Sequence, residues 1–556
     1  MTEALDAAVI VVGGGPCGLM LASELGHRGI ATLLFNEGSD TSAYPRANAT
    51  QARTMEYFRR LGFADEVRAQ GLPPDYPTDV AYFTRYARHE LARFELPSSA
   101  EARRLARELR GSWSAAELPH RCSQIYIERV MRAHAERRPS VTLRFGWRVT
   151  GFTEVADAVV VDAHPVAGGS SRRFRARFLV GCDGPRSLVR KQLGFGYQGE
   201  GGAVRDFMGG RMHAIYFRAP ALYRLLPQRR AWMYWAVNRD RRSLMAALDG
   251  REEFVFSAQL KPGEDAEAIS EAEARAMFFE TLGRECPIEI VNHLSWTAGL
   301  TLVAERFQQG RVFLAGDAVH LFTPTGGLGY NTGIEDAVNL AWKLAAVVEG
   351  WGGSRLLASY ETERQPVARR NTGHARRFAD SVGLYVPPAE IEAETPAGAA
   401  ARREAGDYLN RHARAEFDIP GITFGTRYDG SPLIVSDGTA PPPDDANRYV
   451  PSAVPGGRAP HAWLPDGRSL FDALGLGFAL LRLGPRAADA GALMAAACRL
   501  GVPMVLIELE AAELRELYGA DLALIRPDQV VAWRGNRVPE NPEFTLRSLT
   551  GAARPR

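Results

Sequence analysis

Two short apolar runs flank a helix-length segment at the start of the chain. Residues 8–15 read AVIVVGGG, a β-branched run that ends in glycines, and 30–35 is a second apolar run. Between them, the pattern of 16–27 predicts an apolar helix. Strand, glycine turn, helix and strand in this order are typical of the opening of a parallel α/β domain.

The mixed pattern continues to about residue 200. Helix-like patterns cover 50–70, 101–110 and 127–137, and a strand-like run covers 141–145. In 150–180, apolar and polar positions alternate over short lengths, which favours an antiparallel hairpin unit. We therefore expect an α/β fold with both parallel and antiparallel strands.

A different pattern begins near residue 207. Strand-like runs rich in aromatic residues, at 212–217, 232–237 and 254–260, predict a separate domain that contains a sheet. A buried strand at 311–316 and a long helix at 333–349 then return to the α/β pattern.

The last third of the chain divides in two. Residues 385–460 are rich in Pro, Gly and Asp, as in APPPDD at 440–445, and predict a linker that wraps the surface. From 461 the strand–helix pattern restarts, which predicts a compact α/β module of its own.

Composition and charge limit the partners and the location that we expect for this protein. The 67 Lys+Arg residues nearly balance the 65 Asp+Glu residues, so charge gives no reason to expect a nucleic-acid or membrane-surface partner. No uninterrupted apolar run reaches the roughly 18 residues of a membrane helix. Residues 1–7 carry two acids and no base, so we expect no signal peptide and a soluble, cytoplasmic protein.

The cysteines fit a reducing compartment. They are scattered and form neither a CxxC pair nor a zinc-ligand cluster, so we expect no metal site. They are Cys17, Cys122, Cys182, Cys286 and Cys498.

Residues 13–18 read GGGPCG and satisfy the GxGxxG pattern between a strand and a helix. Gly13 would permit the tight turn, Gly15 would let a pyrophosphate approach the backbone, and Gly18 would allow close helix–strand packing. With Pro16 opening the helix, its free N–H groups would face the phosphates. Dinucleotide binding is therefore favoured over a purely structural turn.

The residue that would hold the ribose stays open. An acid is expected at the end of the second strand, and the count falls on Asn36 or Glu37. Asn36 can hydrogen-bond a ribose but lacks the stronger acceptor of a carboxylate, whereas Glu37 can equally be a solvated turn residue.

Two more turns have the character of ligand sites. Residues 181–187 read GCDGPRS, and 316–320 read GDAVH at the end of the buried strand. The glycine-rich stretch 324–331, PTGGLGYN, then leads into a helix. Each could be an ordinary capped turn. Their order along one chain favours a shared crevice at the carboxyl ends of parallel strands.

Together these residues resemble the single-component flavoprotein aromatic hydroxylases, the para-hydroxybenzoate hydroxylase-like monooxygenases, over about 8–380. The stretch PRAN…TMEYFRRLG and the long tail are most similar to the phenol, dichlorophenol and polyketide hydroxylase branch, whose tail is thioredoxin-like. The strand–helix pattern of the tail runs as far as ALIRPDQVVAWRG at 523–535, and the tail has no CxxC, so we expect a structural or oligomer-contact role for it.

The resemblance implies a Rossmann-type FAD-binding domain interleaved with a mixed-sheet substrate domain, plus a C-terminal thioredoxin-like α/β domain. The implied segments are FAD-binding at 1–80, 121–200 and 301–384, substrate-binding at 81–120 and 201–300, linker at 385–460 and tail at 461–556.

Site residues follow from the same resemblance. The GxGxxG would bind the ADP part of FAD, Asp183 and Arg186 match the motif that serves FAD and NAD(P)H, and Asp317 looks like the ribityl ligand. Arg46 resembles the arginine beside the isoalloxazine, and Gln124 a glutamine that contacts the ribityl chain. The other positions implied near the flavin are Gly316, Pro324, Gly327, Gly329, Tyr330 and Asn331.

The substrate side is less defined. Asn48 stands where phenol hydroxylases have an Asp proposed to assist deprotonation of the substrate, and an amide cannot act as that base. The aromatic strand suggests Tyr234 as a catalytic residue and Trp235, with His213, as pocket residues. Alternation turns Tyr234 and Trp235 to opposite faces, and ordinary core packing is the competing interpretation for each.

The implied reaction is the hydroxylation of a phenolic or polyketide-type aromatic through a flavin C4a-hydroperoxide, with NADPH or NADH as reductant and O2 as co-substrate. Baeyer–Villiger oxygen insertion is the alternative, and a non-catalytic flavin-binding protein is the second. Expected partners are the small aromatic substrate, O2 and NAD(P)H, with neither nucleic acid nor membrane, and homodimer formation stays open.

Overall fold

A computed structural model describes residues 4–202, 205, 207–226 and 228–552, so the outer ends of the first and last predicted segments lie outside the described residues. The strands are β1 Ala7–Val12, β2 Thr32–Asn36, β3 Ala49–Thr50, β4 Val80–Phe83, β5 Glu90–Phe94, β6 His120–Arg121, β7 Val141–Phe145, β8 Trp147–Glu154, β9 Val159–Pro165, β10 Arg172–Gly181, β11 Tyr197–Glu200, β12 Gly210–Arg218, β13 Met233–Ala236, β14 Ser243–Ala247, β15 Glu253–Gln259, β16 Glu289–Ala298, β17 Thr301–Ala304, β18 Gln308–Gln309, β19 Val312–Leu314, β20 His320–Leu321, β21 Phe478–Leu483, β22 Met504–Leu509, β23 Leu522–Ile525 and β24 Val531–Gly535.

Helices connect and cover these strands. They are α1 Pro16–His27, α2 Ala52–Arg60, α3 Ala64–Arg68, α4 Ser99–Glu108, α5 Gln124–Glu136, α6 Leu188–Gln192, α7 Leu222–Leu225, α8 Glu271–Leu282, α9 Leu328–Glu349, α10 Ser354–Gly383, α11 Pro396–Phe417, α12 Pro420–Phe424, α13 Leu470–Ala473, α14 Gly491–Arg499, α15 Ala512–Tyr518 and α16 Pro542–Leu549.

The apolar runs of the first pattern form one sheet with the strand order β18-β19-β10-β1-β2-β7. β1 pairs in parallel with β2 and β10, β2 with β7, and β10 with β19, while β8 and β9 extend β10 as an antiparallel hairpin. Because β19, β10, β1 and β2 run in the same direction, their carboxyl ends meet at one edge. This edge is where the predicted motifs emerge.

The aromatic strands form a second sheet with the order β16-β12-β15-β14-β13-β4-β5. Directly paired residues share a face. We call the face that carries Phe217 and Phe256 the outer face, and both of these rings contact Phe278 of α8. The inner face packs against Tyr44 and Tyr126, which belong to the segments around the first sheet.

The segment predicted as a linker contains α11, a 22-residue helix, so the linker prediction is wrong over 396–417. Leu409, Ala413 and Phe417 follow one another at i, i+4 spacing and join the core of the second sheet. Pro- and Asp-rich stretches beside the helix, together with Gly398 and Gly406 on its buried side, produced the linker-like composition.

The tail forms a four-stranded sheet in the order β22-β21-β23-β24. β21 and β22 are parallel and are joined through α14, whereas β23 and β24 are antiparallel to their neighbours. This is the thioredoxin-like arrangement that the resemblance implies, and Cys498 stands exposed on α14. None of the helices in the described ranges combines the length and the apolar character needed to cross a membrane.

Candidate active site

Four predicted residues meet at the carboxyl edge of the first sheet. Gly13 follows β1, Asn36 ends β2, Asp183 follows β10 and Asp317 follows β19. These strands are neighbours in the sheet, and adjacent strands lie about 4.8 Å apart. Motifs separated by up to about 300 residues in the chain therefore border one crevice.

The glycine loop is tight on one side and open on the other. Gly13 has a φ of +110°, and a Cβ there would lie 2.2 Å from the Cys182 carbonyl oxygen. A Cβ at Gly18 would lie 1.9 Å from the Gly13 oxygen, whereas a Cβ at Gly15 would meet no atom within 4 Å. With Pro16 as the first residue of α1, the helix N-terminus opens onto this free space, as a bound pyrophosphate requires.

Asn36, rather than Glu37, contacts the glycine loop. The Asn36 Oδ1 accepts a hydrogen bond from Gly14 N at 2.9 Å, and its Nδ2 donates to the Gly38 oxygen at 3.0 Å. Glu37 is exposed and pairs with Arg148 at 2.6 Å. The Asn36 amide thus supports the loop itself.

Asp183 carries a buried oxygen that the described residues leave without a partner. Its Oδ2 accepts from Val189 N at 3.1 Å, while its Oδ1 has no hydrogen bond. Burial raises the pKa of this carboxyl, although hydrogen bonds from Ser187 and Val189 oppose the rise. Arg186 is exposed beside it.

Asp317 lies in a turn that buried groups hold in place. Asp336 Oδ2 accepts from Gly316 N at 3.1 Å and lies 2.7 Å from His320 Nε2, and its Oδ1 accepts from Arg364 Nε at 2.7 Å. The Asp317 side chain is open to solvent. Even so, the surrounding protein displaces water from the carboxyl, and this loss of hydration raises its pKa. The charges of His320 and Arg46 oppose the rise.

Arg46 and Gln124 lie on the same side of the crevice. Gln124 N donates to the Ala47 oxygen at 2.7 Å, and its side-chain amide donates to Glu128. Glu128, which sequence reasoning missed, is buried and accepts from Ser42 N at 2.8 Å. Burial raises its pKa, and the charge of the exposed Arg46 opposes this. No pattern in the sequence singles out Glu128.

The glycine-rich stretch 324–331 forms the start of α9. Pro324 is exposed, Gly327 is the residue before the helix, and Gly329 and Tyr330 lie in its first turn, where backbone N–H groups have no intrahelical partner. The Asn331 side chain forms its hydrogen bonds with other groups of the protein. Its Oδ1 accepts from Gln51 N and Thr54 Oγ1, and its Nδ2 donates to the Ala49 and Gly327 oxygens.

The unexpected helix α11 reaches this loop. Glu416 Oε1 accepts from Gly326 N at 2.8 Å, and Glu416 Oε2 lies 2.9 Å from His412 Nε2. The His412 ring meets the edges of Tyr82 and Trp235, whose own rings stack 5.7 Å apart. Trp235 is therefore on the inner face, next to the elements that border the crevice.

Tyr234 and His213 lie on the outer face instead. Tyr234 packs against Phe83 and Tyr86, and its hydroxyl accepts from Ala231 N at 2.8 Å. His213 is in contact with Ser295 and His293. Burial, followed by the charge of His293, lowers the pKa of His213 to about 4. The structure thus does not bring Tyr234 or His213 to the crevice, because sheet pairing turns their strand positions toward α8.

Two cysteines from separate motifs also meet here. The Sγ atoms of Cys17 and Cys182 lie 3.8 Å apart, and Cys17 Sγ contacts the Gly333 oxygen at 3.2 Å. The hydrogen bond with Cys182 and burial raise the pKa of Cys17, which keeps it a thiol. Their spacing of 165 residues concealed this contact in the sequence.

The donor set fits the dinucleotide that the sequence predicts. Free helix N-termini suit phosphates, Asp183 and Asp317 suit hydroxyl groups, and aromatic residues cover the far side. Around the crevice, several buried polar atoms find no partner among the described residues. They are Tyr44 Oη, Asn48 Oδ1 and Asp183 Oδ1.

Known proteins share this architecture. The FAD binding domain family matches residues 6–375, and the aromatic-ring hydroxylase C-terminal family matches 452–553. The FAD-dependent monooxygenase apdD of Emericella nidulans is 31% identical, over 98% of this chain and 90% of its own.

Solved structures agree over the whole length. The rebeccamycin biosynthetic enzyme RebC with reduced flavin superposes with a TM-score of 0.87 at 33% identity, covering 99% of this chain and 100% of its own. Aklavinone-11 hydroxylase with FAD and aklavinone gives 0.83 at 27% identity, with the same coverage. This chain therefore belongs to the single-component, FAD-dependent aromatic-ring hydroxylases, and it is a flavoprotein monooxygenase.

Proposed function

We propose that this enzyme hydroxylates a phenolic or polyketide-type aromatic compound with NAD(P)H and O2. One oxygen atom enters the substrate and the other leaves as water, with two electrons from NADH or NADPH. The observation that carries the proposal is that α11 packs on the aromatic inner face and also holds Gly326 of the loop that borders the crevice. Relatives that include a phenol 2-monooxygenase and a 2,4-dichlorophenol 6-monooxygenase support the substrate class.

Different side chains and helix N-termini would bind different parts of FAD. FAD, when bound, supplies the oxygen-activating chemistry. The α1 N-terminus and the Gly15 backbone would hold its pyrophosphate, and Asp183 and Asp317 its hydroxyl-bearing chain. The N–H groups of the first turn of α9 would offset negative charge that develops on the flavin ring.

The inner face would hold the substrate ring and exclude water. Trp235 and Tyr82 stack on each other beneath α11 and are buried, so they would support this face from within the protein. Phenolate is a better nucleophile than phenol, and a group that stabilises the phenolate oxygen would assist the reaction. Asn48 supplies a hydrogen-bonding amide at the family's acidic position, but no base.

We further propose a cytoplasmic setting, which the free cysteines support, and leave self-association to be measured by sizing the full-length protein.

A screen tests the proposed function. FAD-loaded protein is mixed with NADPH or NADH and a panel of phenols and polycyclic aromatics, and the oxidation of the reductant is followed. We expect at least one aromatic to accelerate oxidation and to yield a hydroxylated product. Oxidation that no aromatic accelerates, or an oxygen atom inserted into an expanded ring, would contradict the proposal.

A further inference from the structure

Arg121 is a buried cation that lacks an acid. Its residue is 6% exposed, and among the described residues its guanidinium makes no hydrogen bond and no ion pair. Its guanidinium carbon lies 4.7 Å from the centroid of the Trp232 ring. Burial lowers the pKa of Arg121 to about 10, so it stays protonated at neutral pH.

Other buried arginines of the chain are arranged differently. Arg53, Arg364, Arg458 and Arg526 each contact a carboxylate, and Arg190 donates to carbonyl oxygens and to the Tyr197 hydroxyl. A buried guanidinium needs acceptors of this kind, because removing a charge from water costs more than a ring contact returns. An unpaired buried guanidinium therefore calls for an anion that binds from outside the chain.

Arg121 stands beside the loop that leads into α9. Its strand, β6, pairs with β3, and Arg121 is directly opposite Ala49. A Cβ at Gly327 would lie 2.9 Å from the Ala49 side chain. The Arg121 backbone is thus about one strand spacing from Ala49, and the side chains of these paired residues leave the strands on the same face, where Ala49 meets Gly327.

The ring beside Arg121 belongs to the substrate side. Trp232 directly precedes β13 of the second sheet, and its ring meets the edge of Phe417, 6.4 Å away. Phe417 follows Glu416, which holds Gly326. A cation and two aromatic rings therefore lie between the cofactor loop and the sheet.

We propose that Arg121 binds a negatively charged oxygen group of the aromatic substrate, a carboxylate or a phenolate, while Trp232 and Phe417 contact its ring. This inference rests on the proposed function and narrows its substrate class to anionic aromatics. A guanidinium matches a carboxylate with two parallel hydrogen bonds. For a phenol, the proton leaves to solvent and Arg121 stabilises the phenolate that remains. The uncharged amide of Asn48 cannot provide this stabilising charge.

Binding to FAD-loaded, oxidised protein tests this without turnover. Titrations of flavin absorbance compare 2-naphthoate with 2-naphthamide, benzoate with benzamide, and 2-naphthol across the pH range in which it ionises. We expect each acid to bind at least tenfold tighter than its amide if the natural group is a carboxylate. If it is a phenolate, 2-naphthol will bind more tightly as pH rises.

Variants separate this role from a structural one. R121M should abolish either preference, R121K should keep part of it, and R104M, which changes an exposed pair with Glu108, should leave both intact. R121M should load FAD with unchanged affinity and resist denaturant at least as well as the parent, because it removes an uncompensated charge.

Contrary results are distinct from failure of the proposed function. If the parent protein shows no preference for anions, or if R121M keeps that preference, this inference is overturned while FAD loading and hydroxylation stand. A loss of FAD affinity in R121M would assign Arg121 to the cofactor and overturn it too. Protein that cannot be loaded with FAD would contradict the proposed function itself.

Discussion

Glu416 Oε1 accepts a hydrogen bond from Gly326 N at 2.8 Å, across 90 residues of chain. Both groups are buried, so the carboxylate fixes the loop that leads into α9. The helix that carries Glu416 thereby links the substrate sheet to the cofactor side of the molecule.

Removal of this link should weaken FAD binding. E416A leaves the Gly326 N–H without its acceptor, which costs about 1–3 kcal/mol. We expect FAD affinity to fall about tenfold or more, measured by fluorescence titration of apoprotein. The matched control E404A, on an exposed position of the same helix, should bind FAD as the parent does. Equal affinity in E416A would show that the loop is positioned without Glu416.

Asp336 should position the Asp317 turn. D336N keeps the shape but weakens the bonds to Gly316 N, His320 and Arg364, and we expect lower FAD affinity together with a stability loss of about 3–5 kcal/mol. D407N, on the exposed face of α11, is the control. If D336N lost stability but retained full FAD affinity, the turn would not depend on it.

Acid should destabilise the fold through buried carboxyls. Burial opposes ionisation of Glu56, Asp336 and Glu363, but their paired cations hold each pKa below its ordinary value. Carboxyls lowered in this way stabilise the fold above the unfolded-state pKa of about 4, and this stability is lost as pH falls toward the folded-state pKa. Urea unfolding between pH 3.5 and 7 should show a falling midpoint on the acid side. A midpoint that rises toward pH 3.5 would contradict the pairing.

Substitutions of Tyr234 and Trp235, which are adjacent in the chain but lie on opposite faces of the second sheet, should have different effects on stability and turnover. Y234F removes a hydroxyl that serves the backbone at Ala231, so we expect about 1 kcal/mol less stability and a nearly unchanged kcat/KM. W235F changes the inner face and should alter KM or the yield of product per NAD(P)H. Impaired turnover in Y234F at parental stability would restore Tyr234 as a catalytic candidate.

The tail should be needed for a stable core. Arg526 donates to both oxygens of Glu363 at 2.7 and 2.8 Å, and Glu363 also pairs with Lys343 of α9. We expect R526M to lower the free energy of unfolding by about 3–5 kcal/mol, and R499M, in an exposed pair, to change it little. Parental stability in R526M would leave the tail as a separable module.

The sequence predicted the local elements well because their signals are local. The strand 141–145 and the helix 16–27 match their predicted bounds, since apolar runs end at glycines or polar turns there. The three ligand turns were predicted for the same reason. Their convergence followed from the rule that parallel strands share a carboxyl edge.

Long-range relationships were not predictable in this way. The face that Tyr234 presents depends on which strands pair with β13, and the alternation alone does not say which face meets the cofactor. Glu416, Asp336 and Glu128 have no motif, because the backbone group that each of them binds lies far away in the chain. The unpaired state of Arg121 likewise exists only once the chain has folded.

Incorporation of isotopic oxygen tests the central claim most directly. FAD-loaded protein, NAD(P)H and an aromatic that stimulates oxidation are incubated under 18O2, and the product is analysed by mass spectrometry and NMR. The account predicts one 18O atom in a new ring hydroxyl and the other in water. Product without 18O, or reductant consumed with only hydrogen peroxide formed for every aromatic tested, would contradict it.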